Sequence, residues 1–232
     1  MKIRNDHPER GITKLEVVFV LIIIVVLAGL GFPTRLKAAK ASAKAQATSN
    51  AKEIGTALLG FYELYDSYPS QDTLQQLQAK GVKVLPIGND ANSYPGQLLA
   101  AECIDSEKIF YVKGMKGIQE GDNRFDTPAE LLKKGENGFG YVMLQGEKSL
   151  LKPTSIVPLV VAPLLTGGSD PTFDPGPFAD QYIYLTPDGA VSGGKISKEG
   201  KPIAKGRGAG GLFGVGKDSV FGTDIPDVKM PR

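Results

Sequence analysis

The hydropathy of the chain changes sharply three times. Residues 1–11 (MKIRNDHPERG) are polar and carry both signs of charge. From Val17 to Phe32 the sequence VVFVLIIIVVLAGLGF has no polar side chain, and Ile12 and Leu15 extend the apolar character backwards. At about 1.5 Å per helical residue the run covers roughly 24 Å, and about 30 Å from Ile12, the thickness of a bilayer core. Residues 34–66 then alternate on a helical period. Leu36, Ala39, Ala43, Ala47, Ala51, Ile54, Leu58, Phe61 and Tyr65 form one stripe with spacings of three or four. Alanine dominates its first half and bulky residues its second. Pro69 stops it.

Beyond residue 67 the pattern predicts shorter elements. Asp72–Lys80 and Thr127–Lys134 read as short helices, the second opening on a Thr cap and a Pro. Lys108–Lys113, Phe139–Leu144, Ile156–Leu165 and Gln181–Leu185 read as strands. Pro187-Asp188-Gly189 is a turn signal, predicting a hairpin from QYIYL into Ala190-Val191-Ser192. Strands close in sequence and joined by turns predict an antiparallel sheet packed on the long helix. The expected fold class is α+β: a long N-terminal helix, its first half spanning a membrane, on a small antiparallel sheet. Residues 193–222, rich in Gly and Lys, read as a long surface loop. The expected divisions are a leader at 1–11, a membrane and assembly helix at 12–33, its continuation at 34–66, and a globular part at 67–232.

Composition then removes function classes. Cys103 is the sole cysteine and His7 the sole histidine among 232 residues, and there is no tryptophan. If the polar leader is removed at Gly11, the remaining chain has no histidine, which would exclude Ser-His-Asp and Cys-His nucleophile pairs and zinc sites of His and Cys. A net charge of +2 without a polybasic cluster offers no field for nucleic acid. Gly206 to Gly211 matches G-x-G-x-x-G, and Gly211 to Lys217 most of a phosphate-binding loop. Neither has the strand–helix setting, and Asp218 stands where Ser or Thr would bind magnesium. Tyr62, Tyr65 and Tyr68 read as packing residues.

One polar residue breaks the apolar helix. A carboxylate such as Glu16 costs on the order of 2.5 kcal/mol or more at depth in lipid, so it needs a partner. Cleavage after Gly11 frees the α-amino group of Ile12, which is mostly cationic at neutral pH. Glu16 would then be the fifth residue of the mature chain, and in a helical stack of copies the amine of one chain can pair with Glu16 of its neighbour. The sequence Gly11-Ile12-Thr13-Lys14-Leu15-Glu16 resembles the processing motif of type IV prepilins and type II secretion pseudopilins. In that family a Gly precedes the cut, the following apolar residue is N-methylated and Glu is fifth. Pro33 falls where the family commonly has a helix-kinking proline. Lys14 departs from the pattern, where an apolar residue is usual.

The resemblance implies cleavage between Gly11 and Ile12, methylation of Ile12, and assembly through Glu16 and Pro33. It implies a non-enzymatic subunit of a secretion pseudopilus or a type IV pilus. The expected location is the bacterial inner membrane, single-pass, with the C-terminal domain in the periplasm and later in the filament. The expected partners are further copies, other pilins or pseudopilins, a prepilin peptidase and the assembly platform, with no nucleic acid. The alternative is a membrane-anchored periplasmic binding or adhesion module that does not polymerise. No cofactor is expected beyond calcium. Some major pseudopilins hold that ion in a C-terminal loop, and Asp170, Asp174, Asp180 and Asp188 are the candidate ligands here.

Overall fold

The computed structural model describes residues 13–145, 151–165, 170–203, 211–217 and 219–232, and the side chains of 25–34 lie outside it. Gly11, Ile12, the leader, the Pro33 side chain, most of the G-x-G-x-x-G stretch and Asp218 therefore lie outside the described residues. The chain divides into two units, Met1–Ala39 and Lys40–Arg232. Helix α1 (Lys14–Tyr65) contributes to both.

In the first unit α1 starts on Thr13. The Glu16 backbone N–H donates to Thr13 Oγ1 at 3.3 Å and to its carbonyl at 3.0 Å. This satisfies an N-terminal donor that has no partner inside the helix. Leu15 and every residue from Val17 to Ile24 are exposed. The membrane-spanning half of the expected architecture is corrected: among the described residues no helix is long and apolar enough to cross a membrane. From Arg35 onward the charged residues Arg35, Lys37, Lys40 and Lys44 recur along the helix.

In the second unit α1 does what its stripe predicts. Ala43, Ala47, Ala51, Ile54, Leu58 and Phe61 are buried. The small residues come first and let the backbone approach its neighbours; the bulky ones follow and fill the core. Opposite them lies a six-stranded antiparallel sheet, ordered β5-β4-β3-β2-β1-β6. Its strands are β1 (Gly140–Leu144), β2 (Val160–Ala162), β3 (Gln181–Leu185), β4 (Val191–Ile196), β5 (Pro202–Ile203) and β6 (Pro226–Lys229). The α+β class and the antiparallel sheet are as the sequence predicts.

Alternation along the strands sorts side chains to two faces. Tyr141, Met143, Val160, Ala162, Ile183 and Leu185 join the core that includes α1. Val142, Val161, Tyr182 and Ile196 join a second cluster completed by Leu164, Phe173 and Phe221. That second cluster corrects the surface-loop reading of 193–222. Its described part holds β4 through Ile196, β5 and a 3₁₀ turn at Gly211–Phe213, and Phe221 is buried. The apolar residues scattered among its glycines cover the outer face of the sheet.

The β3–β4 hairpin forms as predicted. Gly189 takes φ 84°, and Asp188 Oδ1 accepts from the Ala190 N–H at 3.1 Å. Helix α2 (Gln71–Ala79) matches the Asp72–Lys80 reading. Ser70 caps it reciprocally with Thr73. Helix α3 (Ser93–Ala100) is an element the sequence pattern did not predict, and it contains Pro95 and Gly96. Pro95 sits in the first turn, where a missing N–H costs nothing.

Two other readings are corrected. Lys108–Lys113 is not a strand; Glu107–Phe110 forms a 3₁₀ turn with Ser106 Oγ accepting from the Lys108 N–H at 3.3 Å. Thr127–Lys134 makes a single turn rather than a helix, because Leu132 enters the left-handed region at φ 45°.

Two glycines in α1 differ in their surroundings. A Cβ on Gly55 would lie 2.9 Å from Leu185 Cδ1, whereas one on Gly60 would meet nothing within 4 Å. Gly55→Ala is expected to destabilise by about 1–3 kcal/mol through overpacking against fully buried Leu185. Gly60→Ala is expected to stabilise the isolated subunit by up to about 1 kcal/mol through helix propensity. Denaturant unfolding of both variants checks the opposite signs.

Candidate assembly surface and an acidic cluster

The N-terminal surface follows from the sequence of α1. Thr13 fixes the start of the helix, and Glu16 is the acid of its first turn, where the positive end of the helix dipole favours a carboxylate. Leu15 is 82% exposed and Phe19 65%. Soluble monomers rarely expose contiguous apolar surface of this kind, so its energetics call for a covering partner. Among the described residues, no group of metal-ligating side chains converges on this surface. Glu16 is the one carboxylate beside the exposed side chains of Leu15 and Val17–Ile24.

The structure does not gather Asp170, Asp174, Asp180 and Asp188 into a cluster of ligand oxygens among the described residues. Three of them serve local structure. Asp174 Oδ1 accepts from the Gly176 N–H at 2.8 Å. Asp188 accepts from Thr186 Oγ1 and the Ala190 N–H, which hold its carboxyl below the usual range. The Asp180 backbone is left-handed at φ 59°, and its carbonyl accepts from the Ile196 N–H. Asp170 lies 3.9 Å from Lys201 Nζ at the surface.

A different acidic group does converge. Oxygens of Glu107, Asp122 and Glu136 lie within 4.8 Å of one another. These residues are far apart in sequence and follow no ligand spacing, so the sequence held no signal for them. Oxygen donors of this kind suit a hard cation such as calcium. Their existing bonds show another use. Glu107 Oε1 accepts from the Leu132 N–H and Oε2 from the Asn123 N–H, both at 2.8 Å. Glu136 Oε2 accepts from the Lys133 N–H at 2.6 Å, and Lys133 Nζ donates to Asp122 Oδ2 at 2.6 Å. Asn123 Oδ1 returns a bond from the Glu107 N–H at 2.9 Å. The glutamates thus tie the strandless segment 107–136 together from within, and the Lys133 ammonium supplies the cation. Burial raises both Glu107 and Glu136 above the ordinary carboxylate value against the pull of these N–H groups. The Lys133 bond holds Asp122 below its ordinary value.

The remaining sequence candidates are placed as follows. Tyr68 is buried, its hydroxyl donates to the Pro187 carbonyl at 3.0 Å, and burial pushes it up to about 12. Tyr62 packs on its ring, with centroids 5.1 Å apart. Their duty is packing, as the sequence implies. Leu212 and Phe213, in the 3₁₀ turn of the P-loop-like stretch, pack against the second core cluster, and Lys217 is exposed. Cys103 is half-buried on the loop after α3, and burial raises its thiol.

The raised glutamates set a pH dependence. Between the ordinary carboxylate value and their raised values the native state binds more protons than the unfolded chain, so stability falls as pH rises through that window. Asp122 acts oppositely, its contribution being lost as pH falls through its depressed value. Wild type is therefore expected to gain stability relative to Glu136→Gln as pH is lowered from neutral through the glutamate window. Glu107→Ala is expected to cost about 2–4 kcal/mol at neutral pH by leaving two backbone donors unpaired. Unfolding midpoints across a pH series check both.

Comparison with known proteins adds no assignment: no protein-family model matches the chain, no curated protein matches it, and no solved structure matches it.

Proposed function

We propose that this chain is a non-enzymatic structural subunit of a type IV pilin-like filament, either a secretion pseudopilus or a surface pilus. The observation that carries the reading is the exposed apolar start of α1, Leu15 with Val17–Ile24, interrupted by the single carboxylate Glu16. Such a surface is costly in water at about 25 cal/mol per Å² of apolar area, and side-by-side packing of copies removes that cost. In this reading a prepilin peptidase cuts after Gly11 and methylates Ile12. Glu16 of one copy then pairs with the new amine of its neighbour. An acid lacking that partner in a buried interface costs several kcal/mol, which selects the correct stagger. Assembly takes place on a platform at the bacterial inner membrane, with the 40–232 unit in the periplasm. The partners are further copies and related subunits.

Mass spectrometry of the mature protein tests the processing step. The expected N-terminus is N-methyl-Ile12. An intact Met1, or a first residue beyond Phe32, refutes the reading. Glu16→Ala is expected to leave the level and stability of the subunit unchanged while reducing filament yield. Wild-type yield from that variant refutes the pairing. A correctly folded subunit that is anchored at the membrane and never forms filaments supports the binding-module alternative.

A further inference from the structure

The second unit carries a cleft unrelated to the apolar start of α1. It holds about 480 Å³ between the Glu53–Leu64 stretch of α1 and the loop Ala101–Ser106. Its floor is Ala57 and Gly60, and its apolar walls are Leu64 and Ile104. Glu53, Glu102 and Asp105 stand around it, all exposed, and no basic side chain lines it. Among the described residues none of these carboxylates pairs with a cation.

Gly60 gives the cleft its meaning. A glycine inside a helix costs about 1 kcal/mol relative to alanine. At Gly55 the fold explains that cost, since Leu185 occupies the space of the missing side chain. A Cβ placed on Gly60 would meet no group within 4 Å beyond its own helix and chain neighbours among the described residues. The open floor is not required by packing within the subunit, yet it is the feature that lets an outside side chain descend to the helix backbone.

The same chain displays a matching shape elsewhere. Leu36 is 59% exposed on α1 and is flanked by Arg35 and Lys37, both exposed. From Val17 to Lys52 the helix carries no acid. An apolar knob between two cations complements an apolar floor ringed by three carboxylates. We propose that the cleft receives the Arg35-Leu36-Lys37 segment of a second copy, with Leu36 over Gly60 and the cations against Glu53, Glu102 and Asp105. The inference rests on the filament reading and names one of its contacts. Donor and acceptor are different surfaces of one molecule, so the contact is head-to-tail and propagates rather than closing on itself.

The native Cys103 in the cleft supplies the test. The full-length Leu36→Cys protein is treated, in filaments or as detergent-solubilised multimers, with a short bismaleimide. A ladder of covalent dimers, trimers and longer species is expected, and it should vanish in Leu36→Cys/Cys103→Ser. Absence of cross-links, or dimers alone, overturns the proposal. Lys37→Glu is expected to weaken self-association about tenfold, equivalent to roughly 1.4 kcal/mol, and Asp105→Lys in the same chain to restore it. Failure of the second substitution to rescue overturns the charge pairing. Gly60→Ala should reduce the ladder while raising subunit stability, which separates occupancy of the cleft from damage to the fold. Filaments that form with a mature Ile12 terminus but yield no 36–103 link leave the filament reading standing and remove this contact. An unprocessed chain that still gives the ladder in detergent does the reverse.

Discussion

The contact of Leu185 with the backbone of α1 at Gly55 organises the second unit. A side chain at residue 55 would collide with Leu185 at 2.9 Å, so glycine is what allows β3 to lie this close to the helix. Leu185 is fully buried, and it ends the strand that leads into the Pro187-Asp188-Gly189 turn. The turn in turn receives the hydroxyl of Tyr68, just beyond the end of α1. Helix, strand and turn are therefore fixed by one close approach. The neighbouring strands are aligned from β3 outward, with Ile183 opposite Ala162 on one side and Gly193 on the other.

A second constraint governs the region without strands between α3 and β1. There the chain has many backbone donors and few regular partners. Glu107 and Glu136 supply the acceptors from inside, at the cost of two buried carboxylates whose charged forms burial disfavours. Their N–H bonds and the Lys133–Asp122 pair offset part of that cost. The trade is a familiar one: a buried charge persists where the groups it satisfies would otherwise be buried unpaired. It also explains why this acidic cluster is poor evidence for a bound cation. Both Glu107 oxygens, Glu136 Oε2 and both Asp122 oxygens already accept hydrogen bonds from the fold.

What was legible in the sequence had local causes. The α1 stripe from Ala43 to Phe61, the β3–β4 turn and α2 each carry their signal within a few residues, through period, turn chemistry or a cap. What was not legible depended on partners distant in sequence. Ile109 and Phe110 read as strand because they are apolar and β-favouring, but the acceptor that sets their turn region comes from Glu107 bonding to residues 123 and 132. Phe221 read as loop because glycines surround it, yet the outer face of the sheet needed a cover. The apolar start of α1 was the most conspicuous feature of the sequence. Its length alone implied a membrane span, and the structure supports only its apolar exposure.

Exposure ties the two units to one account of what the chain does. A folded subunit whose second unit is closed, with its sheet covered on both faces, has no internal use for Leu15–Ile24 or for Leu36. Nor, among the described residues, does any group fill the gap above Gly60, a glycine that lowers helix stability. Selection for stability alone would place alanine there. Apolar knobs without sockets and a socket without a knob, on one polypeptide, are each unfavourable in isolation. In the proposed stack they become favourable together, because burial of the knobs and filling of the socket would occur in the same step. The charges add direction to that step: cations beside Leu36 and carboxylates beside Gly60 attract in one relative orientation and repel when like faces meet. The proposed assembly would thereby gain a polarity that apolar burial by itself does not provide.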